Sequence, residues 1–296
     1  MEQENRFKEG MRKLFLPVTA PLGFIQNHFK AMLFVLLVVL IFAPSDERSL
    51  TPNNLHYIAI TGPIFDVAEV VHELEEVREN DEVKGVLVEI NSPGGAVAPS
   101  IEIAHAIKRL NQAKPVVVYA SGLLASGGYY ASIWAERIIA NPGAMVGSIG
   151  VILQGSDFSG LMEKVGVKSQ IVAAGKYKQV GTANREWRPE EREELEKVIR
   201  GTYDLFVGDV AEARGLDPAK HADYADAHIF TAAQALDVGL IDAVGVNYDA
   251  REELLALSGV ETPVWNSEDR FEKFMRRLTA EGMLLLNTYF PPLTLR

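Results

Sequence analysis

The chain has 296 residues, 48% hydrophobic and 23% charged, which is ample apolar material for one large domain or two modest ones and excludes wholesale disorder. Its net charge of -11 leaves no surplus of cations to neutralise phosphates, so a nucleic-acid partner is not expected. Without a single cysteine, disulfide frameworks, thiol nucleophiles and cysteine-based zinc sites are excluded.

The charge is unevenly placed. Residues 1–30 carry Arg6, Lys8, Arg12, Lys13 and Lys30 against Glu2, Glu4 and Glu9, a balance of +2, and residues 31–43 carry none. That uncharged run is shorter than the roughly 20 residues a spanning helix needs, but Phe29 and a snorkelling Lys30 extend it at one end and Pro44-Ser45 at the other. A buried soluble helix normally shows one polar face, and this run has none. As a signal-peptide cleavage site, Phe42-Ala43-Pro44 is poor. The expectation is therefore a retained transmembrane anchor over 31–44, preceded by a cytoplasmic or interfacial basic segment over 1–30. Basic residues before the span place the N-terminus in the cytoplasm and the acidic body on the extracytoplasmic side of the cell membrane.

After a polar linker over 45–54, strand and helix signals alternate. Leu55–Thr61 reads as a strand closed by Gly62-Pro63. Asp66 and Glu69 form a capping pattern before the stripe Val67, Val70, Val71, Leu74 and Val77. Val86–Ile90 is a buried strand ending in the turn Asn91-Ser-Pro-Gly-Gly95, and Ile103, Ile107 and Leu110 mark the next helix. Pro115–Ala120 is a strand, Ala125–Ala135 a helix of small residues, and Ile138–Ala140 and Val146–Leu153 are short strands. A helix near Ser156–Val165, a strand over Ser169–Ala173 and a long amphipathic helix from Glu190 to Arg214 follow. Thr231 caps a helix that ends at Gly239, before Leu240–Val244. This alternation predicts an α/β fold with a mainly parallel sheet and flanking helices over 55–266. The tail over 267–296, with Phe271, Met275 and Leu278 in a helical stripe, departs from it and is expected to pack on the domain or on a neighbouring subunit.

Three glycine-rich loops stand at strand ends, where open α/β sheets place their sites: Ser92–Gly95, Ser121–Tyr130 and Gly143–Gly150. None matches a phosphate-binding pattern. Together they line one crevice with backbone N–H groups. Within it, Ser126 follows a strand and opens a helix, so its hydroxyl lies beside unpaired N–H groups able to hold an oxyanion. The same position also suits a plain N-cap. A nucleophile needs a base, and none of the six histidines falls in a glycine-rich loop. Nor does the spacing of His221 and His228 match a metal-ligand pattern, so neither metal nor cofactor is expected. The remaining bases are Lys176 and Lys178, which flank Tyr177, and pattern alone does not choose between them.

Taken in order, Asn91-Ser-Pro-Gly-Gly95, Ala125-Ser-Gly-Gly-Tyr-Tyr130, Gly147-Ser-Ile-Gly-Val151, Gly175-Lys-Tyr-Lys178 and Phe230-Thr-Ala-Ala-Gln-Ala235 with Gly239-Leu-Ile-Asp242 resemble the signal peptide peptidase A family, membrane-anchored serine proteases with a Ser-Lys dyad. The resemblance covers about residues 55–245 and extends to the SohB-like relatives. By position it implies Ser126 as nucleophile, Lys178 as general base and Ser148 as the hydroxyl that orients the lysine. It also implies the N–H groups of Gly95 and Gly127 as the oxyanion hole. The family fold is crotonase-like and Clp-protease-like, so 55–266 would be a protease domain. Short forms assemble into homo-oligomeric rings, with serine and lysine expected from the same chain, and the implied substrates are remnant signal peptides and other hydrophobic membrane-derived peptides. Ala144-Met145 and Gly181-Thr-Ala-Asn-Arg185 depart from the family pattern and leave the substrate pocket open. Two other readings remain: a non-catalytic ring-forming membrane scaffold, and a crotonase-like acyl-thioester enzyme that uses the oxyanion hole without a nucleophile.

Overall fold

The computed structural model describes residues 28–31, 33–34 and 52–266. Residues 28–31 and 33–34 are helical. The segment over 1–30 (save 28–30), most of the anchor over 31–44, the linker up to 51 and the tail over 267–296 lie outside the described residues. Among the described residues, no helix is long and apolar enough to cross a membrane.

Pro52–Asn266 forms one compact unit. Its first half is a regular alternation: β1 (Leu55–Thr61), α1 (Ala68–Glu79), β2 (Gly85–Ser92), α2 (Val97–Ala113), β3 (Val116–Ala125), α3 (Gly127–Ser132), β4 (Arg137–Ala140) and β5 (Met145–Gly147). The second half comprises α4 (Ser159–Lys164), α5 (Pro189–Arg214), α6 (His221–Tyr224), β6 (Ile229–Thr231), α7 (Ala232–Asp237), β7 (Ala243–Val244) and α8 (Asn247–Ser258). Strands β1-β2-β3-β4-β7 lie side by side in parallel, as βαβ crossovers require. The last turn of β3 leaves β4 and pairs instead with β5, which pairs antiparallel with β6.

Both faces of the sheet are covered, so β2 and β3 read as near-continuous apolar runs. On one face Val86, Val88, Ile90, Val116 and Val118 pack with Leu74, Ile103, Ile107 and Leu110. On the other, Leu87, Val117 and Ile139 pack with Ala250 and Leu254 of α8. The Thr231 cap is realised as a capping box with Gln234.

Three expectations are corrected. The small-residue helix begins at Gly127 rather than Ala125, because Leu123–Ala125 are taken into the sheet by pairing with β5. The strand expected over Val146–Leu153 ends at Gly147. Ser169–Ala173 forms no strand; Ile171 and Val172 are exposed and find no ladder partner among the described residues.

Residues 151–188 form a long excursion, and its one helix, α4, buries no residue. The excursion is tied down where it rejoins the body. The Arg185 guanidinium donates to both carboxylate oxygens of Glu191 at 2.7 Å, and the Arg188 N–H donates to the same group at 3.0 Å. Glu191 is 1% exposed, and these partners, Arg185 first, pull its carboxyl from 4.5 to about 2. A depressed carboxyl contributes stability that is complete above its unfolded value and is lost as pH falls through its folded one. The melting temperature is therefore expected to carry a component that disappears between about pH 4.5 and 2. Glu191→Gln should lack it, as a thermal melt series over that range would read.

Candidate active site

The site is built where β3 turns into α3. Ser126 sits at φ 52°, ψ -124°, a conformation that glycine reaches freely and a Cβ opposes. It is held there by its N–H donating to the Gly147 carbonyl at 2.8 Å and by its own carbonyl accepting from the Tyr130 N–H at 2.9 Å. The helix behind it is firmly seated. The fully buried Tyr129 hydroxyl donates to the Leu240 carbonyl at 2.8 Å, and Tyr130 donates to the Asp209 carboxylate while its ring packs on Phe206, 4.7 Å between centroids. Burial pushes both tyrosine hydroxyls up from their ordinary pKa, so they stay protonated donors.

The first glycine loop lies directly on this corner. A Cβ on Gly94, which has φ +90°, would stand 2.5 Å from the Gly127 nitrogen and 2.9 Å from the Ser126 Cβ. One on Gly95 would meet the Ile64 carbonyl oxygen at 2.0 Å, and one on Gly127 would meet Ser100 Oγ at 2.2 Å. Only glycine admits backbone this close. The third loop approaches from the other side, with Ser148 at φ 52°.

Ser126, Ser148, Gly95 and Gly127 all line one cleft of about 520 Å³, walled by Val97, Ile101, Ile152, Ile199, Leu205 and Phe206. The structure thus brings four of the five expected site residues together. The fifth, Lys178, is exposed on the turn after Gly175 and does not line this cleft. Among the described residues it takes part in no ion pair. Lys176 lies 4.9 Å over the Tyr177 ring, and its hydrogen bond with that residue pushes its pKa up, which disfavours a neutral amine. Asp226, Ala227 and Tyr203 also line the cleft, and the sequence reading missed all three. An Asp-Ala dipeptide carries no turn signal, although both residues adopt positive φ here.

Comparison with known families decides the class. The model of peptidase family S49 matches residues 108–261, more than half of the chain, and the Clp protease model matches residues 54–145. The chain belongs to peptidase family S49. The Clp protease match agrees with the parallel α/β sheet and flanking helices described above. A candidate protease of Synechocystis is 38% identical over 216 residues, 72% of this chain and 78% of that one. A candidate protease of Methanocaldococcus jannaschii is 41% identical over 198 residues, 67% of this chain and 64% of that one. A candidate signal peptide peptidase SppA of Enterococcus faecium is 36% identical over 222 residues, 70% of this chain and 64% of that one. The chain therefore spans somewhat less than two thirds of two of these relatives.

Proposed function

We propose that the chain is a membrane-anchored serine endopeptidase that hydrolyses hydrophobic peptides, remnant signal peptides among them, with Ser126 as nucleophile and Lys178 as general base. The observation that carries this reading is the corner at Ser126. A serine is forced into glycine-like backbone geometry, wedged between Gly94-Gly95 and Gly147, at the floor of an apolar cleft. S49 membership and relatives named as proteases support it.

In this mechanism neutral Lys178 takes the Ser126 proton as Oγ attacks the substrate carbonyl. The N–H groups of Gly95 and Gly127 stabilise the oxyanion, and the protonated lysine returns its proton to the leaving amine. Water then repeats the sequence on the acyl-enzyme. Ser148 orients the lysine by hydrogen bonding.

The lysine reaches the cleft in an assembly of chains. Ile152, Leu161, Val165, Ile171 and Val172 of the excursion are exposed, more apolar surface than an isolated chain ordinarily leaves uncovered. A second copy covers it, and the covering delivers Lys178 to the Ser126 of its neighbour, a departure from the same-chain dyad that the family resemblance implies, taken because Lys178 does not line the cleft of its own chain. The anchor over 31–44 holds the assembly at the extracytoplasmic face of the membrane.

One observation favours a second reading. Lys178 outside the cleft is also what a non-catalytic ring-forming scaffold would show. Cleavage of a quenched fluorescent apolar peptide by the detergent-solubilised full chain separates the two, since the scaffold leaves it intact. Gly94→Ala places a methyl against the Gly127 N–H and strains a backbone at φ +90°. It is expected to lower hydrolysis by about a hundredfold or more, the scale of losing one oxyanion donor, in the same assay.

A further inference from the structure

The non-glycine residues with positive φ among the described residues are Ser126, Ser148, Asp226 and Ala227, and all four line the same cleft. Backbone hydrogen bonds link them into one ladder. The Ser126 N–H donates to the Gly147 carbonyl at 2.8 Å, the Ser148 N–H to the His228 carbonyl at 2.6 Å, and the Ala227 N–H to the Ile149 carbonyl at 2.9 Å. Contact is close enough that a Cβ on Gly147 would stand 2.6 Å from the His228 oxygen, and one on Gly150 2.9 Å from the Ala227 methyl. The nucleophile corner therefore leans on residues 147–150, and these lean on the turn at Asp226-Ala227.

That turn is in a conformation that Ala227 resists. Asparagine, aspartate and glycine visit the left-handed region, but alanine gains nothing there. Something outside must hold it. The Asp226 N–H donates to the Tyr203 hydroxyl at 3.1 Å, and that hydroxyl lies 3.1 Å from His221 Nδ1. With its oxygen accepting from the turn, the hydroxyl keeps its proton, which it can donate to Nδ1 in the tautomer that leaves that nitrogen unprotonated. Tyr203 stands on α5 and His221 opens α6, so the turn is clamped from two elements that carry neither serine.

We infer that Tyr203 is a positioning residue of this site: its hydroxyl, held by His221, pins the strained Asp226-Ala227 turn, and the turn sets residues 147–149, Ser148 among them, against Ser126. The inference rests on Ser126 being the nucleophile, and it assigns Tyr203 no contact with the reacting atoms.

The test uses the full chain in detergent, with Tyr203→Phe, His221→Ala and the double variant Tyr203→Phe/Ala227→Gly. Two readouts are needed: steady-state peptide hydrolysis and the rate at which a fluorophosphonate labels Ser126. Tyr203→Phe keeps the ring and removes the hydroxyl, so kcat should fall about tenfold, the scale of one hydrogen bond, with labelling slowed by the same factor. KM should stay within about twofold, because the loss is one of alignment and not of substrate binding. His221→Ala should produce a smaller loss of the same kind. Glycine at 227 adopts the turn unaided, so the double variant should recover most of the rate, which a merely structural or substrate-binding role of Tyr203 would not allow. An unchanged kcat, a loss confined to KM, or a loss that Ala227→Gly does not recover would each overturn the inference while Ser126 still labels. Absence of labelling in the unsubstituted chain would instead overturn the functional reading, and this inference with it.

Discussion

Ser126→Ala is expected to abolish peptide hydrolysis, by at least about a thousandfold, while the chain folds and assembles as before. The effect is large because the oxyanion donors and the apolar cleft act on a nucleophile, and without one they retain only a small residual rate enhancement. Backbone strain makes a second comparison informative. At φ 52°, ψ -124° a Cβ is opposed, so Ser126→Gly should be equally inactive yet more stable than Ser126→Ala by about 1 kcal/mol. Hydrolysis assays and thermal melts of the two variants read both parts. A serine placed there for structural reasons alone would have been better replaced by glycine.

The second large effect concerns the base. Lys178→Ala should remove turnover as completely as Ser126→Ala, whereas Lys176→Ala should retain it, because the Tyr177 contact pushes the Lys176 pKa up and disfavours the neutral amine a base needs. Equal loss from the two lysines would undo the assignment. Since Lys178 does not line the cleft of its own chain, the two inactive variants should complement each other. When Ser126→Ala and Lys178→Ala chains are unfolded, mixed in equal amounts and reassembled, random neighbours should restore about a quarter of the original activity. No recovery would mean that serine and lysine act from one chain, after the excursion over 151–188 closes on its own cleft.

Much of this was legible in the sequence, and what was not has physical causes. β1 was read with its observed boundaries because Leu55–Thr61 is an apolar run punctuated by Gly-Pro. The long helix α5 was read to within a residue at its start, since Pro189 opens it and Gly215, in the left-handed conformation, closes it. Strand β6 was missed. It has three residues and exists only by pairing with β5, more than eighty positions earlier in the chain. Ser169–Ala173 failed in the opposite direction, because β-branched residues gave it a strand pattern and no partner among the described residues completed it.

The site divides in the same way. Ser126 was legible from its place between a strand and a helix in a glycine-rich loop, whereas Ser148, Gly95 and Gly127 were legible through the resemblance to the family's motifs. The setting of Lys178 was not, since a lysine's neighbours depend on what covers the excursion. Tyr203 and Asp226 gave no signal, because a hydroxyl that holds a backbone N–H looks like any half-buried tyrosine on an amphipathic helix.

The most direct test is intact-mass and peptide-level mass spectrometry of the detergent-solubilised full chain after treatment with a fluorophosphonate, beside Ser126→Ala and Lys178→Ala. The activated dyad predicts one adduct per chain, on Ser126, absent from both variants. No adduct in protein shown to be folded and assembled, or an adduct that survives Lys178→Ala, would contradict it.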